Sequence, residues 1–512
     1  MGWNDWAHYQ CGYSAQTILQ NAHALVASGL AARGYKYITI DDCWMQKSRD
    51  KQGNLQPNPE KFPHGIKPVI HAIHALGLKS GIYEDAGYLT CGGFAASGWP
   101  KGGGPAHFLQ DARLFASWGV DYLKLDGCNI YVARGQSQVA AYRQAYKAES
   151  RALRRVRRPI VFLESAPAYF QGTPDWYDVL HWAGKYGQLW RDGSDIQTYN
   201  PSDPARDRFH SVLWNYAYNL PLGRFQKPGN WNNADFIIGG DPGMTLAETR
   251  SQFALWSMMS SPLILSSNLS KLSPAAIAVL GNKAVISVDQ DPLGRMATLI
   301  RRTPSFDVLF KQLDGGNYAV AALNRGASPL NVNLRPRDLG FTGPNCRLAA
   351  NNLWTGAGTQ FASALHAHIA SHDTAIWKIR PSSLCGAPTR TGTITRIVPD
   401  ARHNPESYTR CLASPGVVEA CSGAPAETWT VTPSGALQNS GRCLAAGHRN
   451  AHMEPCRSRP TQRWTYTLLG NLINRKDHLC LTGSRVHGLS LRSCGHNLAT
   501  QIWSLPTPFI RD

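Results

Sequence analysis

From residue 1 to about 297, short β-rich runs alternate with longer stretches whose apolar residues return at helical spacing. The runs are residues 1–6, Tyr35–Asp42, Leu78–Asp85, Tyr122–Gly127, Pro159–Ser165, Leu189–Asp195, a run near Trp231, and Pro262–Asn268. Between the first two, Ile18, Leu19, Ala22, Leu25 and Val26 share one helix face, and Gly34 closes the segment. Apolar strands separated by helices form parallel βα units, and about eight units in about 300 residues is the size of a (β/α)8 barrel. A doubly wound sheet is the alternative, but no G-x-G-x-x-G follows a first strand. Several strands end in an acidic or polar residue, at the rim where a barrel carries its chemistry.

After residue 297 the pattern changes. Phe306–Gln312, a turn at 314–316 (DGG) and Asn317–Asn324 predict a hairpin, and Thr374–Ile379 alternates again. The chain thus divides into a barrel (1–297), an antiparallel β domain (298–381), a linker rich in Pro, Ser, Gly and Thr (382–396), and a C-terminal unit (397–512). That last unit contains a threefold repeat: Cys411, Cys421 and Trp429; Cys443, Cys456 and Trp464; Cys480, Cys494 and Trp503. Three equivalent units predict three Trp in one core, with a disulfide in each loop contributing about 2–3 kcal/mol by chain entropy. The repeats resemble those of ricin-type β-trefoil lectin domains, which open on Cys-Leu and close on Q-x-W; Glu427 replaces the first Gln. Sugar-binding repeats of that kind follow Cys-Leu with Asp. Here the positions are Ala413, Ala445 and Thr482, which implies a structural or polymer-adhering role.

No run approaches about 18 consecutive apolar residues, so no membrane span is expected, and 16 Trp with 43% hydrophobic residues exclude a disordered chain. Lys and Arg outnumber Asp and Glu by 52 to 34, a formal +18 that favours acidic surfaces or polymers. No nucleic-acid motif accompanies the charge, so nucleic acid is not an expected partner. The densest basic run, 151–158 (RALRRVRR), reads as a solvated helix end. Twelve cysteines without a zinc-type C-x-x-C pair read as structural disulfides and predict a secreted or periplasmic protein whose export signal has been removed. His71 with His74, and His366 with His368, have metal-pair spacing but no third ligand. No metal and no cofactor is expected. Gly102–Gly104 lacks the Lys-Ser/Thr of a phosphate loop and reads as a βα loop lining the cleft.

Lys124 and Asp126 fall two apart on a strand and face the same way, into the barrel. A lysine so placed holds a strand-end carboxylate ionised, which suits a nucleophile, although a structural ion pair has the same spacing. Asp195 stands beyond another strand end with Arg191 four residues earlier, which suits an acid or base but also a turn or cap. Asp41 and Asp42 end a third strand, where carboxylates accept hydrogen bonds from sugar hydroxyls; a calcium site there lacks enough oxygen ligands.

Together these segments resemble the glycoside hydrolase family 27 α-galactosidases over the first 380 or so residues. The likeness runs through 1–4 (MGWN), 40–45 (IDDCWM), 62–66 (FPHGI), 81–87 (GIYEDAG), 118–128 (WGVDYLKLDGC), 190–196, 262–266 (PLILS) and 289–294 (DQDPLG). It implies a retaining exo-α-glycosidase acting on terminal α-galactosyl residues of oligo- or polysaccharides. Asp126 corresponds to the nucleophile and Asp195 to the acid/base, with the Asp195 carboxyl expected to hold its proton better than Asp126. Asp41 and Asp42 correspond to acceptors for O4 and O6, Lys124 and Arg191 to binders of hydroxyls at C2 and C3, and Trp3 and Tyr83 to a platform under the sugar. Cys128, Tyr169 and Asp235 complete the binding set, with Cys11–Cys43 and Cys91–Cys128 as the matching disulfides. The departures bear on substrate. Where family members carry Cys-Glu-Trp, this chain has Glu164-Ser165-Ala166, and Ser165 with Ala168 resembles the pair by which α-N-acetylgalactosaminidases admit a 2-acetamido group. Glu84 and the segment 233–236 (NADF) also depart, and are expected to adjust the region around C6 or the aglycone. α-N-Acetylgalactosaminidase and β-L-arabinopyranosidase are the alternatives within the family. A catalytically silent carbohydrate-binding protein is the alternative outside it, disfavoured because both aspartates are present.

Overall fold

The computed structural model describes residues 1–397, 409–484, 488–495 and 498–506. Eight parallel strands form the barrel: β1 (Gly2–Asn4), β2 (Tyr37–Ile40), β3 (Lys79–Asp85), β4 (Tyr122–Asp126), β5 (Val161–Glu164), β6 (Leu189–Arg191), β7 (Trp231–Asn233) and β8 (Ile264–Leu265). They pair in the order β7-β6-β5-β4-β3-β2-β1-β8. Ile237, just past β7, bridges to Leu265 of β8 and closes the ring. Most strands are shorter than the runs that predict them, because the polar ends of those runs leave the ladder to build the rim. The helix Ala15–Ala27 starts on a Ser14–Thr17 capping box and buries Ile18, Ala22 and Leu25. Val26 lies outside the buried face at 39% exposure, and Gly34 closes a separate short turn at Ala31–Arg33 rather than this helix.

The middle domain packs a six-stranded antiparallel sheet and a two-stranded one around Val308, Val320, Leu348 and Ile379. The expected hairpin is present, with Phe306 opposite Asn324 and Gln312 opposite Tyr318. Cys346 and Cys385, whose pairing the sequence leaves open, form a disulfide.

In the C-terminal domain Trp429, Trp464 and Trp503 meet in one core, fully buried. Their indole N–H groups donate to the carbonyls of Leu412 (2.7 Å), Leu444 (3.0 Å) and Leu481 (2.9 Å), one equivalent bond per repeat. Gln462 and Gln501 each accept a backbone N–H, from Arg457 and Gly495, and donate to the carbonyls of Pro455 and Ser493. Glu427 has no N–H to give and instead accepts from the Ser422 amide, the Ser422 hydroxyl and the Gly423 amide. Ala413, Ala445 and Thr482 are all buried. The expected linker needs correction. Arg390–Thr393 pairs with Thr428–Val431, and Thr395–Ile397 pairs with Thr409–Ala413 and Trp503–Ser504. These strands belong to the C-terminal domain; their Thr-rich composition reads as loop, but Thr also fits a pleated surface. The expected end of that domain, at 512, lies outside the described residues.

The C-terminal domain seats against the αβ side of the barrel. Arg224, in the segment that leads into β7, donates to the carbonyls of Pro221 and Leu468, both at 2.6 Å. That is the end opposite the βα loops, where barrels carry their chemistry.

Candidate active site

The strand ends at the βα side bring together side chains from seven of the eight strands and the segments just after them. Asp41, one residue past β2, accepts from Asn4 Nδ2 and from Lys124 Nζ, both at 2.7 Å. The Asp41 amide in turn donates to Asp5 Oδ1 (3.0 Å). Burial disfavours the Lys124 charge, but Asp41 and Asp126 outweigh it and hold the ammonium above its ordinary value. Its charged end lies 5.1 Å from the Tyr83 ring and 5.2 Å from the Phe236 ring. Asp42 accepts from the amides of Cys43 (2.6 Å) and Gly92 (2.8 Å). Burial pushes its carboxyl up despite those bonds.

Asp126, the last residue of β4, accepts from Tyr169 Oη at 2.6 Å and from the Gly127 amide at 3.0 Å. Beside it, Asp85 at the end of β3 accepts from the Gly87 and Cys128 amides (2.7 and 3.1 Å). Asp85 is fully buried, and burial together with the Asp126 charge raises its carboxyl well above the usual range. The Cys91–Cys128 disulfide ties the two strand ends together, and Gly87 is required there: a Cβ would stand 1.9 Å from the Cys128 carbonyl.

Across the mouth, the Arg191 guanidinium bridges two carboxylates, with Nη2 2.9 Å from Asp195 and Nη1 2.9 Å from Asp235. Nη2 also donates to the carbonyls of Gly193 and Ser194. Asp235 is 1% exposed, accepts the Ile196 amide at 2.7 Å, and sits at φ +78°, a conformation its amide bond to Asn233 Oδ1 helps to hold. The Asp195 side chain is 73% exposed. The walls of the mouth cost it some hydration, which pushes its carboxyl up, but Arg191 and then Lys124 outweigh this and hold it below the ordinary range. Asp235 goes the other way: burial, only partly offset by Arg191, pushes it up to about 6.

Asp126, Asp195, Asp41, Asp42, Lys124, Tyr83, Cys128, Tyr169, Arg191 and Asp235 thus gather at one end of the barrel. Ser165 follows β5 directly; its hydroxyl is buried and has no partner among the described residues. Ala168 lies one turn on, its amide bonded to the Ser165 carbonyl. Several expectations change. Trp3 and Tyr83, expected as a platform under the sugar, are both covered in the unbound protein, at 0% and 1% exposure, with the Trp3 indole N–H donated to the Ser267 carbonyl. Arg191 is engaged with two carboxylates and two carbonyls rather than free for hydroxyls. The unbound Asp195 carboxyl lies below its ordinary range for the same reason. Glu84 is in the helix layer with Arg49 and Asp111, because Tyr83 and Asp85 face the lumen and the residue between them faces outward. It cannot adjust a sugar site. Three of the four histidines bind protein: His74 lies on Asp121, His366 on Asn333 and His368 on Asn331. Asp85, Cys91 and Cys128 lie close enough to hold a metal, but both cysteines are in the disulfide and offer no thiolate. Sequence reasoning missed Asp5 and Asp85. Asp85 was findable, since it is opposite Asp126 in register and ends its strand in the same way.

A closed barrel with two separately held carboxylates at its βα rim is the frame of a glycoside hydrolase. Residues 1–291 match the family described as Alpha galactosidase A, residues 303–379 the Alpha galactosidase C-terminal beta sandwich domain, and residues 405–503 the Ricin-type beta-trefoil lectin domain. The Alpha-galactosidase A of Aspergillus niger is 38% identical over 99% of this chain and 91% of its own. Among solved structures, alpha-galactosidase I from Mortierella vinacea superposes with a TM-score of 0.65 at 28% identity, covering 76% of this chain and 98% of its own. A β-L-arabinopyranosidase from Geobacillus stearothermophilus shares the fold (TM-score 0.63, 22% identity, 76% of this chain and 97% of its own). The chain belongs to the α-galactosidase A family of glycoside hydrolases.

Proposed function

We propose that the protein is an exported exo-α-galactosidase that cleaves terminal α-D-galactosyl residues with retention of configuration. Asp126 attacks the anomeric carbon while Asp195 gives its proton to the departing glycosidic oxygen, so the C–O bond breaks as a glycosyl ester forms. Asp195, now a base, takes a proton from water; the water oxygen attacks the same carbon and Asp126 leaves as carboxylate. What carries the reading is the separate support of the two carboxylates at one mouth: Asp126 on Tyr169 and the Gly127 amide, Asp195 on Arg191. The acid must hold a proton when the bond breaks, although Arg191 and Lys124 keep it ionised in the unbound enzyme. Asp235 offers Arg191 a second anchor, so the cation can lean toward it when a leaving group approaches Asp195. Six disulfides among the described residues fit an oxidising compartment outside the cytosol.

Replacing Asp126 by Asn keeps its size and removes the nucleophile. Nitrophenyl α-galactoside hydrolysis is expected to fall about a thousandfold or more with thermal unfolding unchanged. A variant of ordinary rate refutes the assignment, and proton NMR showing β-galactose as the first product refutes retention.

One observation favours a second substrate. Ser165 and Ala168 are small where family relatives carry a bulky polar wall, and the Ser165 hydroxyl has no partner among the described residues, which fits a 2-acetamido group. Hydrolysis of the 2-acetamido analogue at a rate comparable to the galactoside supports this reading.

A further inference from the structure

The helix that follows β4 spans Gln138–Arg155 and is about 27 Å long. Its outward residues include Arg143, Lys147, Arg151, Arg154 and Arg155, all exposed, whereas its single carboxylate, Glu149, is buried. Arg134 precedes the helix and Arg157 follows it, both also exposed. At the foot of the helix, on the αβ side of the barrel, a cavity of about 440 Å³ opens among Ser150, Arg154, Arg157, Arg158, Tyr186 and Gln188. Its volume falls in the range of about 300–1,000 Å³ typical of small-ligand sites. Arg158 is neutralised by Asp121, and Arg154 donates to Ser150 Oγ at 2.8 Å. Among the described residues Arg154 and Arg157 pair with no carboxylate, and the rest of the lining is largely apolar, with the Tyr186 ring beside Val156, Pro159 and Ile160. A planar guanidinium matches a carboxylate in a two-point fork, and an aromatic ring with apolar neighbours lies against the apolar face of a sugar.

We propose that this cavity, with the cationic ridge running up from it toward the catalytic mouth, is a second carbohydrate site that binds the uronate-bearing backbone of an acidic polysaccharide. A charged ridge alone would accept any polyanion. The pocket argues for a saccharide: the Tyr186 ring and its apolar neighbours offer a surface for a sugar face, with Arg154 and Arg157 placed for its carboxylate. The ridge extends the contact along a chain rather than a single residue. Nothing in this proposal depends on which sugar the catalytic mouth cleaves, and binding is measured without turnover.

The test uses the full chain and isothermal titration with three probes: polygalacturonate, its fully methyl-esterified form, and a DNA duplex. Polygalacturonate is expected to bind, more weakly as salt rises, and the ester and DNA at least tenfold less well. The Arg154→Gln/Arg157→Gln double variant is expected to lose binding at least tenfold while hydrolysing nitrophenyl α-galactoside as before. An Arg457→Gln/Arg459→Gln control, which removes two exposed cations from the C-terminal domain, is expected to bind within twofold of the parent. Polygalacturonate binding that survives the barrel variant, or falls equally in the control, overturns the site. DNA binding as tight as polygalacturonate binding makes the surface a general polyanion patch and overturns the choice of partner. Loss of hydrolysis in the Asp126→Asn protein with this binding intact separates the two assignments.

Discussion

Replacing Asp235 by Asn isolates the influence of one buried carboxylate on the acid it shares a guanidinium with. Asparagine has the same shape and still offers an oxygen to the Ile196 amide, so the loop is expected to keep its course. What disappears is a negative charge on the far side of Arg191, 2.9 Å from Nη1, while Asp195 stays 2.9 Å from Nη2. Two carboxylates bridged in this way lie about 7 Å apart, which at an effective dielectric of about 20 corresponds to about 2.4 kcal/mol of repulsion. The Asp195 side chain is 73% exposed, so water screens much of this, and about 1 kcal/mol is the working figure. The sign follows from titration. Asp235 is pushed up to about 6, so it becomes charged only above about pH 6, and there its repulsion helps Asp195 to keep a proton. With Asn the help is gone, and in the substrate complex, where Asp195 must regain its proton, the alkaline limb of kcat moves to lower pH while the acid limb stays. The assay compares pH profiles on two substrates. An aryl galactoside with a nitrophenolate leaving group needs little protonation; methyl α-galactoside needs the acid fully. At pH 7 the methyl glycoside is expected to lose about fivefold and the aryl glycoside less than twofold. Equal losses on both substrates, or a profile identical to the parent, refute the coupling and leave Asp235 a purely structural residue.

Other perturbations probe different parts of the molecule. Tyr169→Phe removes the 2.6 Å bond to Asp126 and is expected to lower kcat/KM by about tenfold, since a hydrogen bond to a charged group is worth about 1.5–3 kcal/mol; an unchanged rate discards that bond as a support of the nucleophile. Ser165→Glu restores a bulky acidic wall and is expected to shift the ratio of galactoside to 2-acetamido analogue hydrolysis toward the galactoside by about tenfold or more. An unmoved ratio places the 2-position elsewhere. Trp464→Ala is expected to destabilise the C-terminal domain by about 3–5 kcal/mol, with little change in nitrophenyl α-galactoside hydrolysis; calorimetry that shows the barrel transition falling equally contradicts the independence of the two cores.

Much of this arrangement is legible in the chain because it follows from spacing. Eight β-rich runs separated by helices leave few architectures, and parity along β4 puts Lys124 and Asp126 on one face. The same parity, applied to β3, assigns Glu84 to the helix layer and Asp85 to the mouth. The residues themselves held that answer, but a comparison of motifs hides it. Other features depend on which neighbours fold alongside. Nothing local indicates that Arg191 has two carboxylate partners, because Asp235 lies 44 positions away on the far side of β7. The Arg191 charge is what holds the unbound Asp195 carboxyl low. Trp3 is covered by the Ser267 segment that follows the last strand of the ring, a contact made only on closure. The strands at 390–397 are short and Thr-rich, and they declare themselves only through the partners at 409–413, 428–431 and 503–504.

The contact of Arg224 with Leu468 has a consequence for traffic at the two ends of the barrel. The C-terminal domain stands behind the strands and leaves the catalytic opening uncovered on the opposite side. A sugar can enter and leave that opening without passing the second domain, whatever the second domain does.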